Sequence, residues 1–423
     1  MEITYLVAFG KESFFTYNHS KSMEAAMSSK RILFVCPSYP ATGGVEAVTA
    51  ELALAFLERS YEVFLMVSAI RMTASRMDDL VDRMYVLDAD KPLKSIARCI
   101  KEQDIRIVLN QGDFSDVCLL KSAFPQVLFI TSLHAIPFWE VETFRNTSFL
   151  QHIRNNRGLD RIKVVARFVL SRMMPNGSHL RIRAWYRRRI EQSDAYVVLD
   201  PLYKEQLESA LYDGQAQSSI RVIGNPLKYA ACSDLEGKAN RVLYVGRMNL
   251  PQKQVDHLLE IWAKVQEEMP DWELDLVGDG PDVSLIRKKA FDLGLSRVHF
   301  YGMLDPEPFY QRSSILCLTS LLEGMPLVIK EAQAFGVVPI VYEYASSVHH
   351  LVEQDRDGRV VPLNDIQTFV RVLIATMRDT EKRMQMATEA VRSVQAHSTP
   401  VVLEKWIRLF EDVAGDSPES STA

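Results

Sequence analysis

Between residues 241 and 342 the chain repeats one pattern that leaves few folds open. Four short apolar runs, at 242–245, 274–277, 315–318 and 338–341, are separated by segments of helical period. Each run is too short for a solitary helix and rich in residues that suit a buried strand. In the first intervening segment Val255, Leu258, Leu259, Trp262 and Val265 fall on one helical face. Buried strands alternating with amphipathic helices predict an α/β fold, a parallel doubly wound sheet with helices on both faces. Such a sheet takes ligands outside the carboxyl ends of its strands.

The polar residues of this stretch gather at those ends. Gly246 and Arg247 follow the first run, and Lys253 comes six positions after the arginine. Gly278, Asp279 and Gly280 follow the second, and Glu323 and Gly324 follow the third after a short loop. Pro326 suits the first turn of a helix. The helix start across Gly324, Met325, Pro326 and Leu327 would offer free N–H groups and a partial positive charge to an anion. Glu331, inside that helix, is placed to accept hydrogen bonds from hydroxyl groups. Two cations, a helix N-terminus and a carboxylate suit a diphosphate with a ribose attached. Taken singly, each feature has a bland reading: a solvated loop arginine, a surface glutamate, a Gly-Asp-Gly turn. Their recurrence at matching strand ends sets them apart.

These residues resemble the nucleotide-binding domain of GT-B glycosyltransferases, above all the retaining family 4 (glycosyl transferases group 1). The matching motifs are Val245-Gly246-Arg247 with Lys253, Val277-Gly278-Asp279-Gly280-Pro281, and the pair Glu323 and Glu331 in a Glu-Gly-x-Pro-x-x-x-x-Glu-Ala pattern, with Gly336 after the helix. The resemblance implies a GT-B architecture, two Rossmann-like doubly wound domains facing across a cleft. It implies a nucleotide-diphosphate sugar as co-substrate, no other cofactor and no metal. Arg247 and Lys253 would hold the diphosphate and Glu331 the ribose. Backbone at Met303 and Leu304 would meet the base, and Glu323 with the amides from Gly324 to Leu327 would lie near the sugar and phosphate. The family often has a Gly-rich turn after the next strand, where this chain has Glu343-Tyr344-Ala345-Ser346-Ser347.

The N-terminal half alternates in the same way. A strand at 31–36 leads to Gly43-Gly44 and a helix over 46–59 with Val48, Leu52, Ala55 and Phe56 on one face. No Gly-x-Gly-x-x-Gly is present there; the resemblance places Gly43 and Gly44 toward the donor diphosphate and acceptor. Strands are expected at 62–67, 84–87, 105–109 and 127–133. His134 ends the last of these, close to the donor sugar by resemblance, and Trp139 and Glu140 would line an acceptor pocket. Strands at 195–199 and 221–223 flank a helix at 202–211. Gly224-Asn225-Pro226 resembles the turn that opens the second domain. Helices follow at 366–377 and 381–394, and Val402, Trp406, Leu409 and Phe410 form a stripe on a helix expected to cross back to the first domain. The expected division is an extension over 1–29, with Met27 as a candidate start, domains at 30–218 and 219–398, a crossing helix at 399–414, and a disordered tail at 415–423.

A net charge of −5 in 423 residues gives no global pull toward nucleic acid. Scattered Cys36, Cys99, Cys118, Cys232 and Cys317 read as reduced thiols of a cytoplasmic protein. No run approaches the ~20 apolar residues that span a bilayer, and 1–29 lack the apolar core of a secretion signal. The segment 151–189 interleaves many arginines with Val164, Val165, Phe168, Val169, Trp185 and Tyr186. It reads either as an anionic-membrane contact, placing the protein on the inner face of the membrane, or as a solvated pair of helices on the first domain. Residues and resemblance together point to a retaining, metal-independent glycosyltransferase acting on a glycan or lipid-linked acceptor in surface polysaccharide or lipopolysaccharide assembly. A sugar-nucleotide epimerase, a glycosyl phosphorylase and a non-catalytic scaffold on the same fold remain the alternatives.

Overall fold

The computed structural model describes residues 30–39, 43–70, 83–112, 116–139, 175–232 and 235–415. The first sheet has seven parallel strands: β1 (Arg31–Tyr39), β2 (Glu62–Ile70), β3 (Met84–Val86), β4 (Ile107–Gln111), β5 (Leu128–Leu133), β6 (Ala195–Val198) and β7 (Ile220–Val222). Their order is β3-β2-β1-β4-β5-β6-β7. Strand β1 is central, and its alternation builds two cores. Ile32, Phe34 and Cys36 face one side with helix α1 (Gly44–Glu58). Leu33 and Val35 face the other with α2 (Pro92–Glu102). Helices α3 (Pro175–Gln192) and α4 (Pro201–Tyr212) flank β6. Asp200 caps α4, its carboxylate accepting the Leu202 N–H at 2.9 Å.

The second sheet has six parallel strands: β8 (Arg241–Val245), β9 (Glu273–Val277), β10 (Val298–Gly302), β11 (Ile315–Leu318), β12 (Val338–Tyr342) and β13 (Arg359–Val361), ordered β10-β9-β8-β11-β12-β13. Its helices are α5 (Leu250–Lys253), α6 (Val255–Glu268), α7 (Val283–Asp292), α8 (Glu307–Arg312), α9 (Leu327–Ala334), α10 (Ile366–Arg378) and α11 (Thr380–Ser393). All five stripe residues of α6 are buried. In each sheet the strand order reverses beside the strand that opens it, which makes that point the crevice for a ligand. The last helix, α12 (Thr399–Gly415), returns to the first domain. Its Phe410 stacks on Phe56 at 5.6 Å, and Val402, Trp406 and Leu409 join the core of β1 and α1.

Three boundaries differ from the sequence expectation. Strand β7 pairs with β6, so 220–222 belong to the first sheet and the crossing between domains falls after Val222, not at 218. Strands β10 and β13 were not among the apolar runs; they are half-buried edge strands, so their composition carries little apolar signal. Pro326 sits before α9 as its cap, with φ −67° and ψ 114°, instead of in the first turn. Expectations for 1–29, Glu140, 151–174 and 416–423 lie outside the described residues. Cys36, Cys99, Cys118 and Cys317 are buried and Cys232 is half-buried. Among the described residues no helix is long and apolar enough to cross a membrane.

Candidate functional site

The loops after β8 and β9 are packed backbone to backbone. The Gly246 N–H donates to Val277 O at 3.0 Å, and the Met248 N–H to Asp279 O at 2.9 Å. Gly278, at φ +135°, has the Gly246 carbonyl oxygen 2.0 Å from where a Cβ would stand. Gly280 has the Met248 oxygen at 2.4 Å from the same point. Gly278 is therefore required by close approach and conformation, and Gly280 by close approach alone. The buried Tyr244 hydroxyl donates to Arg247 O at 3.1 Å, fixing the loop from below. Arg247 is left exposed at the loop tip, and its guanidinium forms no ion pair among the described residues.

Lys253 is the last residue of α5, and Gln254 at φ +44° turns the chain into α6. The Lys253 ammonium pairs with the Glu323 carboxylate, which is 8% exposed. The sequence placed these two residues at different parts of a ligand; the structure joins them. Glu331 lies in the middle of α9 and receives a hydrogen bond from the Tyr310 hydroxyl at 2.8 Å. Burial raises its carboxyl above the usual range, while Tyr310 and Lys228 pull it down. Tyr310, on α8, was missed because an aromatic at helical spacing reads as core; nothing in the sequence links it to Glu331. Met303 and Leu304, just beyond β10, are 54% and 52% exposed.

On the opposing domain His134 ends β5. Its Nε2 is 2.6 Å from Gln111 Oε1 at the end of β4. An amide oxygen only accepts, so Nε2 carries the proton. Burial lowers the imidazole pKa to about 4, with an Asn225 hydrogen bond opposing the shift. His134 is thus neutral near pH 7 and suited to hydrogen bonding, not to proton donation. Gln111, fully buried, was also missed: a single Gln at a strand end carries no signal. Gly43 caps α1 and Gly44 begins it, and Gly112, next to Gln111, lies against Val45 of that helix. Trp139 is 41% exposed and follows Phe138, a bulky residue held at φ +62°.

The two sets of loops meet. A Cβ on Gly324 would lie 2.4 Å from His134 O, and Leu327 packs on the core of the first domain. His350, after β12, bonds Asp200 at 2.9 Å. Arg247, the Lys253–Glu323 pair, the start of α9 and Glu331 therefore share one sheet edge, and His134 faces that edge from the other domain. The basic helix α3 is partly committed elsewhere. Arg183 and Arg187 donate to Ala210 O and Leu211 O in the last turn of α4. Arg189 is buried, pairs with Asp116 at 3.0 Å and stacks over Trp185. Charge reversal across Arg187 to Arg189 would break these contacts. Among the described residues one group has metal-ligand spacing, Glu273, Asp275 and His299. It lies at the amino ends of its strands, away from Arg247, and Asp275 is held by Arg241 at 2.8 Å and Arg312 at 3.1 Å.

Residues 229–392 match the glycosyl transferases group 1 family. Matches to solved structures span both domains. A structure of Anabaena HepE in complex with UDP and glucose aligns with a TM-score of 0.64 at 15% identity, covering 90% of this chain and 99% of that one. This chain has the GT-B fold, and its second domain is similar to the group 1 glycosyltransferases. Among curated relatives, an exopolysaccharide phosphotransferase of Streptomyces coelicolor is 30% identical over 52% of this GT-B chain and 23% of its own length. The lipopolysaccharide 1,6-galactosyltransferase of Escherichia coli K12 is 29% identical over 43% of this chain and 52% of its own. The matched stretch thus spans about half or less of these two relatives.

Proposed function

We propose that this GT-B chain is a retaining, metal-independent family 4 glycosyltransferase that moves a sugar from a nucleoside diphosphate to a glycan or lipid-linked acceptor in surface-polysaccharide or lipopolysaccharide assembly. The observation carrying this reading is the convergence of Arg247, Lys253–Glu323 and the start of α9 on one sheet edge, with neutral His134 facing them. Cleavage of the anomeric bond builds negative charge on the leaving diphosphate. In this reading Arg247, Lys253 and the amides entering α9 meet that charge, and preorganised donors of this kind lower such barriers. The Lys253–Glu323 pair holds the ammonium at the entrance to α9. Glu331, oriented by Tyr310, is the acceptor for ribose hydroxyls, and exposed Met303 and Leu304 offer an apolar surface to a base. No side chain is assigned as a covalent nucleophile.

Support for a uridine nucleotide comes from the neighbour solved with UDP and glucose, and for the acceptor class from the relatives named for exopolysaccharide and lipopolysaccharide. A cytoplasmic place against anionic membrane is part of this proposal, carried by exposed Arg181, Arg188 and Leu180 on α3. The test is release of nucleoside diphosphate from a panel of nucleotide sugars with lipid-linked and glycan acceptors, with and without chelator. Product anomeric configuration is read by NMR. Transfer with retention, unaffected by chelation, is expected. Strict dependence on inorganic phosphate would identify a phosphorylase instead, and activity restored only by magnesium or manganese would move the charge-stabilising role from the two cations to a metal.

A further inference from the structure

The hydroxyl of Tyr203 reaches from the first domain into the second. Tyr203 stands in the first turn of α4, and its ring is 3% exposed among Leu133, Ile136 and Leu207. Its Oη lies 2.6 Å from Gly324 O and 2.9 Å from Ser347 Oγ. A carbonyl oxygen only accepts, so the single phenolic proton goes to Gly324 and the Ser347 hydroxyl donates to Oη. One phenol thus ties together two loops of the opposite domain, the one entering α9 and the turn after β12. Asp200, three residues earlier, anchors the same turn through His350.

We infer that Tyr203 is a positioning residue for the transfer proposed above, acting on the donor phosphate through the Gly324–Met325 peptide; this rests on that reading of the site. A peptide unit is planar and trans, so its C=O and N–H point in opposite directions. Fixing the Gly324 carbonyl on Tyr203 therefore fixes the Met325 N–H facing away from it. Among the described residues that N–H meets no protein acceptor. It is the amide between Glu323, paired with Lys253, and the first turn of α9. One amide of the loop proposed to meet the phosphate is consequently oriented by a side chain of the other domain. The donor loop reaches its working geometry only when the domains meet, and a donor-domain sequence motif alone does not specify it.

The experiment uses the full chain with Tyr203→Phe, which keeps the ring and removes the hydroxyl, and Ser347→Ala, which removes only the donor to Oη. Binding of UMP and of UDP is measured by calorimetry, with kcat and KM for transfer and thermal unfolding alongside. In Tyr203→Phe, UMP affinity stays unchanged, UDP affinity falls, and kcat falls at least about tenfold, the scale of a misoriented positioning group. Ser347→Ala shifts the same quantities in the same direction by less. An unchanged ratio of UDP to UMP affinity with unchanged kcat overturns the inference. Equal losses of UMP and UDP binding also overturn it, since they mark a phenol that only stabilises the fold. If the wild type neither binds UDP nor transfers, it is the proposed function that fails.

Discussion

At the scale of single residues, the two cations of the site differ in surroundings. Arg247 is exposed at a loop tip, whereas Lys253 is paired with a buried carboxylate. Arg247→Ala is expected to cost roughly 2–4 kcal/mol of transition-state stabilisation, as when one preorganised charge-stabilising group is removed, and to leave thermal unfolding unchanged. Lys at that position restores only part, because it lacks the planar fork that meets phosphate. Lys253→Ala is expected to cost a similar amount in kcat/KM and also to destabilise the fold by roughly 1–3 kcal/mol, since it leaves Glu323 buried without its partner. Steady-state kinetics beside denaturant unfolding separate the two patterns. For His134, replacement by Ala is expected to lower turnover more than nucleotide affinity, because the imidazole belongs to the facing domain. His134 and His397 also set an acid limit. Burial holds both near pKa 4, against 6.5 in the unfolded chain, with Lys330 and Lys405 adding to the shift at His397. The unfolded state then binds more protons between these values. The stability they contribute is complete above about pH 6.5 and is lost as pH falls toward 4. His397→Gln should flatten the fall in unfolding temperature over that window relative to wild type; parallel curves would show that His397 takes no part.

At the scale of elements, glycines that look alike in the sequence have different reasons. A Cβ on Gly280 would meet Met248 O at 2.4 Å, whereas one on Gly44 would meet nothing within 4 Å. Gly280→Ala must push the β8 and β9 loops apart and is expected to lower stability by about 1–3 kcal/mol. Gly44→Ala is expected to leave stability within about 0.5 kcal/mol and to reduce transfer only if that backbone approaches the substrate. Unfolding midpoints and kcat/KM for the pair decide this. If Gly280→Ala unfolds with the wild type, the close approach is relaxed easily. The Glu323–Leu327 segment shows the same principle between domains, because Gly324 admits the backbone of His134 where any side chain would collide.

At the scale of the whole molecule, the C-terminal helix α12 completes the core of the first domain after the chain has built the second. Trp406 is 2% exposed within that core. Trp406→Ala is expected to cost roughly 3–5 kcal/mol and to loosen the first domain while the second keeps its nucleotide affinity. Hydrogen exchange by domain, with UDP binding measured in parallel, checks this; loss spread evenly over both domains would mean that they unfold as one unit.

The sequence by itself determined the α/β alternation, the crossing helix and the strand ends at which polar residues collect. These features depend on local periodicity, on short apolar runs and on residue types that follow them directly. It did not contain β10 and β13, whose edge positions leave them half polar, nor the membership of β7, which hydrogen bonds to β6 decide. Nor did it contain the pairings Lys253 with Glu323, Tyr310 with Glu331, His134 with Gln111, and Tyr203 with Gly324. Each joins residues 21 to 121 positions apart. Local periodicity cannot specify such partners, because a side chain's orientation, protonation and desolvation depend on what tertiary packing brings beside it.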